Sequence, residues 1–230
     1  MSASPAELLA RRVAPSAVIA LSRVTWPARA GAGARRRLGR RGRVELFFAF
    51  DDPCSAIAVL DLAGRLSGRE VRLLLRPVVR RGIRADPAVE LKRRYAIGDA
   101  RRLGRRTGLA LARTEPLAAD DVAFLAAWVA AAPQGPALQR FCVAALGHLW
   151  LETAGPVERA DYGRLWRAHL GSSPPATGGP RGVRRNERLM RRRRPYDTPA
   201  AWVHGQWFFA HDPLAQIAER LDDLGWTATP

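Results

Sequence analysis

Val44-Glu45-Leu46-Phe47-Phe48-Ala49-Phe50-Asp51-Asp52-Pro53-Cys54-Ser55 is a strand running into a helix, and its reading decides the fold. Residues 44–50 are apolar but for Glu45, a run of strand length. Asp52 then has the side chain of an N-cap, able to accept hydrogen bonds from the free amides of a first helical turn. Pro53 suits the first helical position, because its φ is preset and no hydrogen bond is lost there. A helix start of this kind also favours negative charge, a carboxylate or a thiolate alike. Asp52, Cys54 and Ser55 are therefore the candidate catalytic residues. Each also has a plain structural role: Asp52 as a cap, Cys54 as a small residue filling the first turn. Asp51 and Asp52 would raise the pKa of a thiol at Cys54.

Working outward, the helix over 53–67 turns Ile57, Leu60 and Leu62 inward and stops at Gly68. Val71–Leu75 is a second strand-length run, ended by Arg76-Pro77. The order β-α-β favours parallel pairing and a right-handed crossover. A helical block follows: Asp86-Pro87 starts a helix through Tyr95, and Gly98–Thr107, Asp120–Ala132, Leu138–Leu151 and Tyr162–Leu170 read as further helices. Ser172–Gly182 reads as a loop leading to an Arg-rich stretch. Ala200–His204 and Gln206–Phe209 read as two strands around a tight turn at Gly205, with Trp202, Trp207, Phe208 and Phe209 filling the core beneath them. Asp212-Pro213 starts a last helix with Leu214, Ile217, Ala218 and Leu221 as its stripe. Ahead of all this, an amphipathic helix over residues 5–24, bent near Pro15, and a mobile linker over Ala28–Gly42 precede a domain starting near Arg43.

The formal charge of +17 is concentrated in two tracts. Residues 1–44 hold ten Arg against Glu7, and residues 181–194 hold eight Arg against Glu187. Both are readable as solvated faces or as surfaces for a polyanion, nucleic acid or acidic lipid, through residues 1–43 and 181–194. No aromatic residue interleaves with the Arg runs, so a stacking platform for single strands is absent. No window approaches the roughly 20 apolar residues of a membrane span. Pro15 and Arg23 interrupt the weak resemblance of the first residues to an export signal, and two cysteines make no disulfide framework, so the expected location is cytoplasmic. No His, Cys or carboxylate spacing predicts a metal site.

The element order, with these residues at its joints, resembles the thioredoxin-like family of DsbA-type oxidoreductases, 2-hydroxychromene-2-carboxylate isomerases and kappa-class glutathione transferases. The likeness runs over about residues 43–224. Phe48 to Ser55 is similar to the family's Phe-Asp-Phe-x-Ser-Pro-Tyr-Ser, and Leu75-Arg76-Pro77-Val78 to its second strand and exit. Lys92–Tyr95 with Asp99 through Gly108 is similar to a pattern of its inserted helical domain. Thr198-Pro199 falls where the family has a cis-proline, and Gly205 to Leu214 resembles its Gly-Glu-x-Phe-x-Gly-x-Asp-Arg-Leu close. The resemblance implies an α/β thioredoxin-like fold (β-α-β … β-β-α) over 43–224, with an all-helical insertion at about 84–190 and a basic N-terminal extension over 1–42. It implies glutathione or another low-molecular-weight thiol as cofactor, held by Thr198 and Pro199 along its peptide and by His211 and Asp212 at its γ-glutamyl end.

This chain departs from the family at Asp52, where a serine hydroxyl would meet the thiolate. Neither cysteine of a Cys-x-x-Cys pair is present at Asp52 and Ser55, which excludes dithiol–disulfide exchange of that kind. Asp52 is instead suited to act as a base, on a thiol or on carbon acidified by a carbonyl. The leading expectation is a thiol-dependent isomerase or transferase acting on a small organic substrate. The competing ones are a non-catalytic thioredoxin-scaffold module docking on an acidic partner or nucleic acid, and a monothiol redox protein using Cys54. A homodimer stays open.

Overall fold

The computed structural model describes residues 26–82, 86–176, 180–193, 195, 197–209 and 214–228, so the expected helix over 5–24 lies outside the described residues. Helix α1 (Trp26–Arg37) occupies most of the stretch expected to be a mobile linker. Its Gly/Ala/Arg composition hides any apolar stripe, yet Ala and Arg are strong helix formers. Tertiary contacts complete it: Ala32 is fully buried and Arg36 donates to the Gly225 carbonyl at 2.7 Å.

Strands β1 (Gly42–Phe48) and β2 (Val71–Pro77) pair in parallel, Gly42 opposite Val71 and Phe48 opposite Pro77. Helix α2 (Pro53–Arg65) connects them. Strands β3 (Ala200–Val203) and β4 (Gln206–Phe209) form the closing hairpin; β3 lies antiparallel to β1, giving the order β2-β1-β3-β4. His204 and Gly205 form its two-residue turn at φ 44° and 96°, the doubly left-handed geometry that matches strand twist.

The run of β1 is apolar because both its faces are covered. Val44, Leu46 and Phe48 join the main core with Ala56, Val59 and Leu62 of α2. Phe47 and Ala49 point the other way, against Val78 and Met190. Met190 belongs to α7 (Pro180–Arg193), so the Arg-rich stretch and the end of the expected loop are a helix laid on the sheet. Of the hairpin aromatics only Phe208 enters the main core; Trp207 packs on Phe47 and Trp202, with ring centroids 5.7 and 4.9 Å away.

Between β2 and α7 lie α3 (Val89–Thr107), α4 (Ala119–Ala131), α5 (Pro136–Gly147) and α6 (Arg159–Leu170). The two helices expected over Asp86–Tyr95 and Gly98–Thr107 are the single helix α3. Its Gly98 meets no obstacle and is tolerated at a cost of about 1 kcal/mol. Asp86 caps a turn ahead of it, accepting from Ala88 N at 2.9 Å. Trp128, Phe141, Tyr162 and Trp166 fill the interior of this block. Gln134 pairs with the outer edge of β2 like a peptide, accepting from Leu75 N at 2.8 Å and donating to Leu75 O at 3.0 Å, which blunts that edge.

Close packing of α7 on α4 depends on Gly182, where a Cβ would come within 2.7 Å of Ala130 O and 2.9 Å of Ala130 Cβ. Gly182→Ala is expected to destabilise by about 1–3 kcal/mol through overpacking. Gly98→Ala, with open space around it, is expected to stabilise by about 0.5–1 kcal/mol. Urea unfolding of the two variants checks the pair; equal shifts would refute the close approach.

Candidate functional site

Asp52 caps α2 as its sequence predicts. It has extended backbone (φ −116°, ψ 113°), and its carboxylate accepts from Cys54 N at 3.1 Å and Ser55 N at 3.2 Å. Two hydroxyls add to this. Ser55 Oγ donates to Asp52 Oδ2 at 2.6 Å, and Thr198 Oγ1 donates to the same oxygen at 3.4 Å. The Thr198–Pro199 peptide bond is cis, and its segment runs into β3 beside β1. The sheet therefore brings the cap of α2 and the cis-proline segment together across 146 residues of sequence.

Oδ2 thus receives three donors and Oδ1 only one. A carboxylate has about four lone-pair sites, so Oδ1 keeps room for a proton. Asp52 is only 6% exposed. Burial pushes its pKa up, against the pull of Arg81 and of the Ser55 hydrogen bond; the neighbouring Asp51 and Asp197 push the same way, to about 6. Three carboxylates here face one guanidinium. Arg81 Nη1 meets Asp51 Oδ1 at 2.6 Å, and Arg81 Nε lies 3.7 Å from Asp197 Oδ1. Asp51 Oδ2 is buried without a partner.

The other candidates stand differently. Cys54 lies in the first turn, but its Sγ is turned to the Ala96 carbonyl of α3 at 3.7 Å, and burial, with Asp52, Asp99 and Asp197, pushes the thiol far above its ordinary pKa. Ser55 is fully buried, its hydroxyl donating to Asp52 and accepting from Ala49 N at 3.1 Å. Pro199 is buried at the start of β3. His211 and Asp212 lie outside the described residues.

An activated glutathione thiolate does not fit these residues. The amides of Cys54 and Ser55 that would face sulfur at this helix start are already held by the Asp52 carboxylate, and the Ser55 hydroxyl is enclosed. An ionised Asp52 would repel a thiolate as well. Among the described residues no cluster of His, Cys, Asp and Glu could hold a metal ion, and no helix is long and apolar enough to cross a membrane. Two cavities, of about 470 and 420 Å³, open at the opposite end of α2 beside Leu66 and Arg65, and neither is lined by Asp52 or Thr198.

Arg81 and Trp150 belong to this site and carry no sequence signal. Arg81 sits in the loop after β2, one of many arginines. Trp150 lies in a π-helical turn (His148–Glu152) and donates its indole N–H to Phe50 O at 2.9 Å, immediately before Asp51. Such turns recur at functional sites. Arg113 fastens this one, donating to Leu149 O at 3.0 Å and Gly155 O at 2.7 Å.

No family model matches the chain, and no curated protein matches it. Solved structures do. A 2-hydroxychromene-2-carboxylate isomerase superposes with a TM-score of 0.62 at 14% identity, over 79% of this chain and 95% of its own. A probable DsbA oxidoreductase from Streptomyces coelicolor superposes with a TM-score of 0.56 at 15% identity, over 83% of this chain and 92% of its own. With a β-α-β half and a β-β-α half, the latter closed by a helix over Ala215–Asp223, joined in one sheet and a run of helices between them, this chain has the DsbA-like thioredoxin fold that its joint residues resemble.

Proposed function

We propose that this protein is an isomerase of a small organic substrate, interconverting a cyclic hemiketal and its open carbonyl form, with Asp52 as the proton carrier. The observation that carries the reading is the meeting of the Asp52 carboxylate with Thr198 of the cis-proline segment at 3.4 Å. Asp52 takes the proton of the substrate's hemiketal hydroxyl at Oδ1 as the carbonyl forms and the ring C–O bond breaks, and returns that proton to the departing ring oxygen. No oxidant, reductant or thiol enters the balance. A pKa of about 6 leaves Asp52 mostly ionised at neutral pH yet close enough to give the proton back. Thr198 and the amides of Cys54 and Ser55 hold the carboxylate still. Transfer of a thiol to an electrophile is disfavoured, because the donors that would activate sulfur are already taken.

The solved isomerase supplies the first compound to try, 2-hydroxychromene-2-carboxylate. Its interconversion, followed by absorbance, is expected to fall about 10²–10⁴-fold in Asp52→Asn, the usual contribution of a positioned acid–base group. Cys54→Ala and added millimolar glutathione are expected to leave the rate unchanged. Loss of turnover in Cys54→Ala, or turnover only with glutathione, would replace this reading with the thiol-dependent one. No turnover in the wild type would remove it.

A further inference from the structure

Helix α7 presents an arginine ladder. Arg181, Arg184, Arg185, Arg188, Arg191 and Arg192 are all exposed, and none has an ion pair or hydrogen bond among the described residues. Their spacing of three, four and seven residues puts them on one side of the helix. At 1.5 Å per residue the ladder is about 16 Å long.

The opposite side of α7 is anchored. Val183 and Met190 are buried, and Asn186 Nδ2 donates to Pro77 O at 3.0 Å. Glu187 Oε1 accepts from Arg80 N at 3.0 Å, and Arg193 pairs with Glu45 at 2.8 Å. The one acidic side chain of the helix is therefore turned to the sheet, leaving the outer face without negative charge. The backbone of such a face is held in place before any partner arrives, so binding costs the rotamer freedom of the arginine side chains and little backbone order.

We propose that the outer face of α7 docks on the phosphate backbone of a nucleic-acid duplex. Guanidinium groups repeating about every 5.4 Å along the helix match a partner with regularly spaced, fixed anionic charges. The apolar residues of α7 are committed to the core, so the helix has nothing to insert into acyl chains, as a membrane-surface helix does. No aromatic side chain stands among the exposed arginines to stack on unpaired bases. The contact is to the backbone, without base reading, because the helix is half-sunk against the sheet and cannot enter a groove.

The test uses the full chain and a labelled mixed-sequence DNA duplex of about 20 base pairs, with anisotropy read from about 50 to 200 mM salt. The variant Arg184→Gln/Arg188→Gln/Arg191→Gln is compared with the charge-matched Arg94→Gln/Arg101→Gln/Arg105→Gln on α3, all six positions being exposed. In the α7 variant, affinity at about 100 mM salt is expected to fall at least tenfold and the log–log salt slope to flatten by about 2.7, roughly 0.9 per lost phosphate contact. The α3 variant is expected to keep the wild-type slope within about 1. Equal losses in both variants would mean diffuse attraction by net charge and would overturn the proposal. So would capture by phosphatidylglycerol-rich vesicles with no duplex binding, or a wild type that does not bind the duplex at all.

Discussion

Wild-type protein is expected to lose about 2 kcal/mol of stability relative to Asp52→Asn as the pH is raised from about 4 to about 7. The cause is burial. Asp52 is 6% exposed, and its pKa rises from an ordinary 3.8 to about 6 in the fold. Below 3.8 the carboxyl is protonated in both the folded and the unfolded chain, and its contribution is fully present. Between 3.8 and about 6 the unfolded chain gives up the proton while the fold retains it, so stability falls; above about 6 the fold must carry the buried charge and the loss is complete. Asn is an equally good N-cap but cannot offer two oxygens to Cys54 N and Ser55 N, so the variant carries an offset that does not vary with pH. Urea unfolding at both pH values, read as the difference between the two proteins, cancels other titrating groups. A gap that stays flat would mean that Asp52 ionises normally, and an acid–base role near neutrality would fall with it.

Much of the frame was legible because its determinants are local. The apolar run 44–50, the Asp52 cap, Pro53 at the helix start and the tight turn at Gly205 each act within a few residues; the structure places the cap and Pro53 as read, shifts the strand to Gly42–Phe48 and takes His204 from the strand into the turn. Parallel pairing of β1 with β2 followed from the β-α-β order. Composition misled where packing decides. Trp26–Arg37 is helical because Ala32 and Arg36 find distant partners, and α3 runs through Gly98 because nothing stops it. The site was legible by half. Asp52 and Thr198 came from the joints of the fold, but Arg81 could not be told from 36 other arginines, and Trp150 reaches Phe50 across 100 residues. Cys54 read either as a candidate thiol or as a small residue filling the first turn; the packing of α3 against α2 turns its sulfur to Ala96.

Glu45 is the residue whose loss is expected to damage the fold most, and it read as no more than a polar interruption in β1. It is 2% exposed and holds three guanidiniums: Arg193 at 2.8 Å, Arg43 at 3.1 Å and Arg76 at 3.1 Å. Burial raises its pKa, but the hydrogen bond from Arg193 and the charges of Arg43, Arg193 and Arg76 together bring it below the ordinary 4.5. Its contribution is therefore present above 4.5 and lost as the pH falls through the lower folded value, the reverse of Asp52. Glu45→Gln leaves three cations around a neutral side chain and is expected to destabilise by about 3 kcal/mol, the low end for a broken buried pair because the arginines are partly exposed. Arg193→Gln is expected to cost less, since Glu45 retains two partners, although it also removes the guanidinium lying 5.3 Å from the Trp202 ring centroid. Arg43→Gln, from the most exposed of the three, is expected to cost least. The order follows from which variant strands a buried charge, so urea unfolding of the three at neutral pH tests it directly. Because the Arg193 backbone carbonyl also accepts from Trp207 Nε1 at 3.1 Å, five residues before Thr198, Glu45→Gln is expected to loosen the cis-proline segment against Asp52 as well as α7 against the sheet. Amide exchange in residues 186–201 reads that loosening: unchanged protection there, with stability lost uniformly, would show that Glu45 serves the core alone.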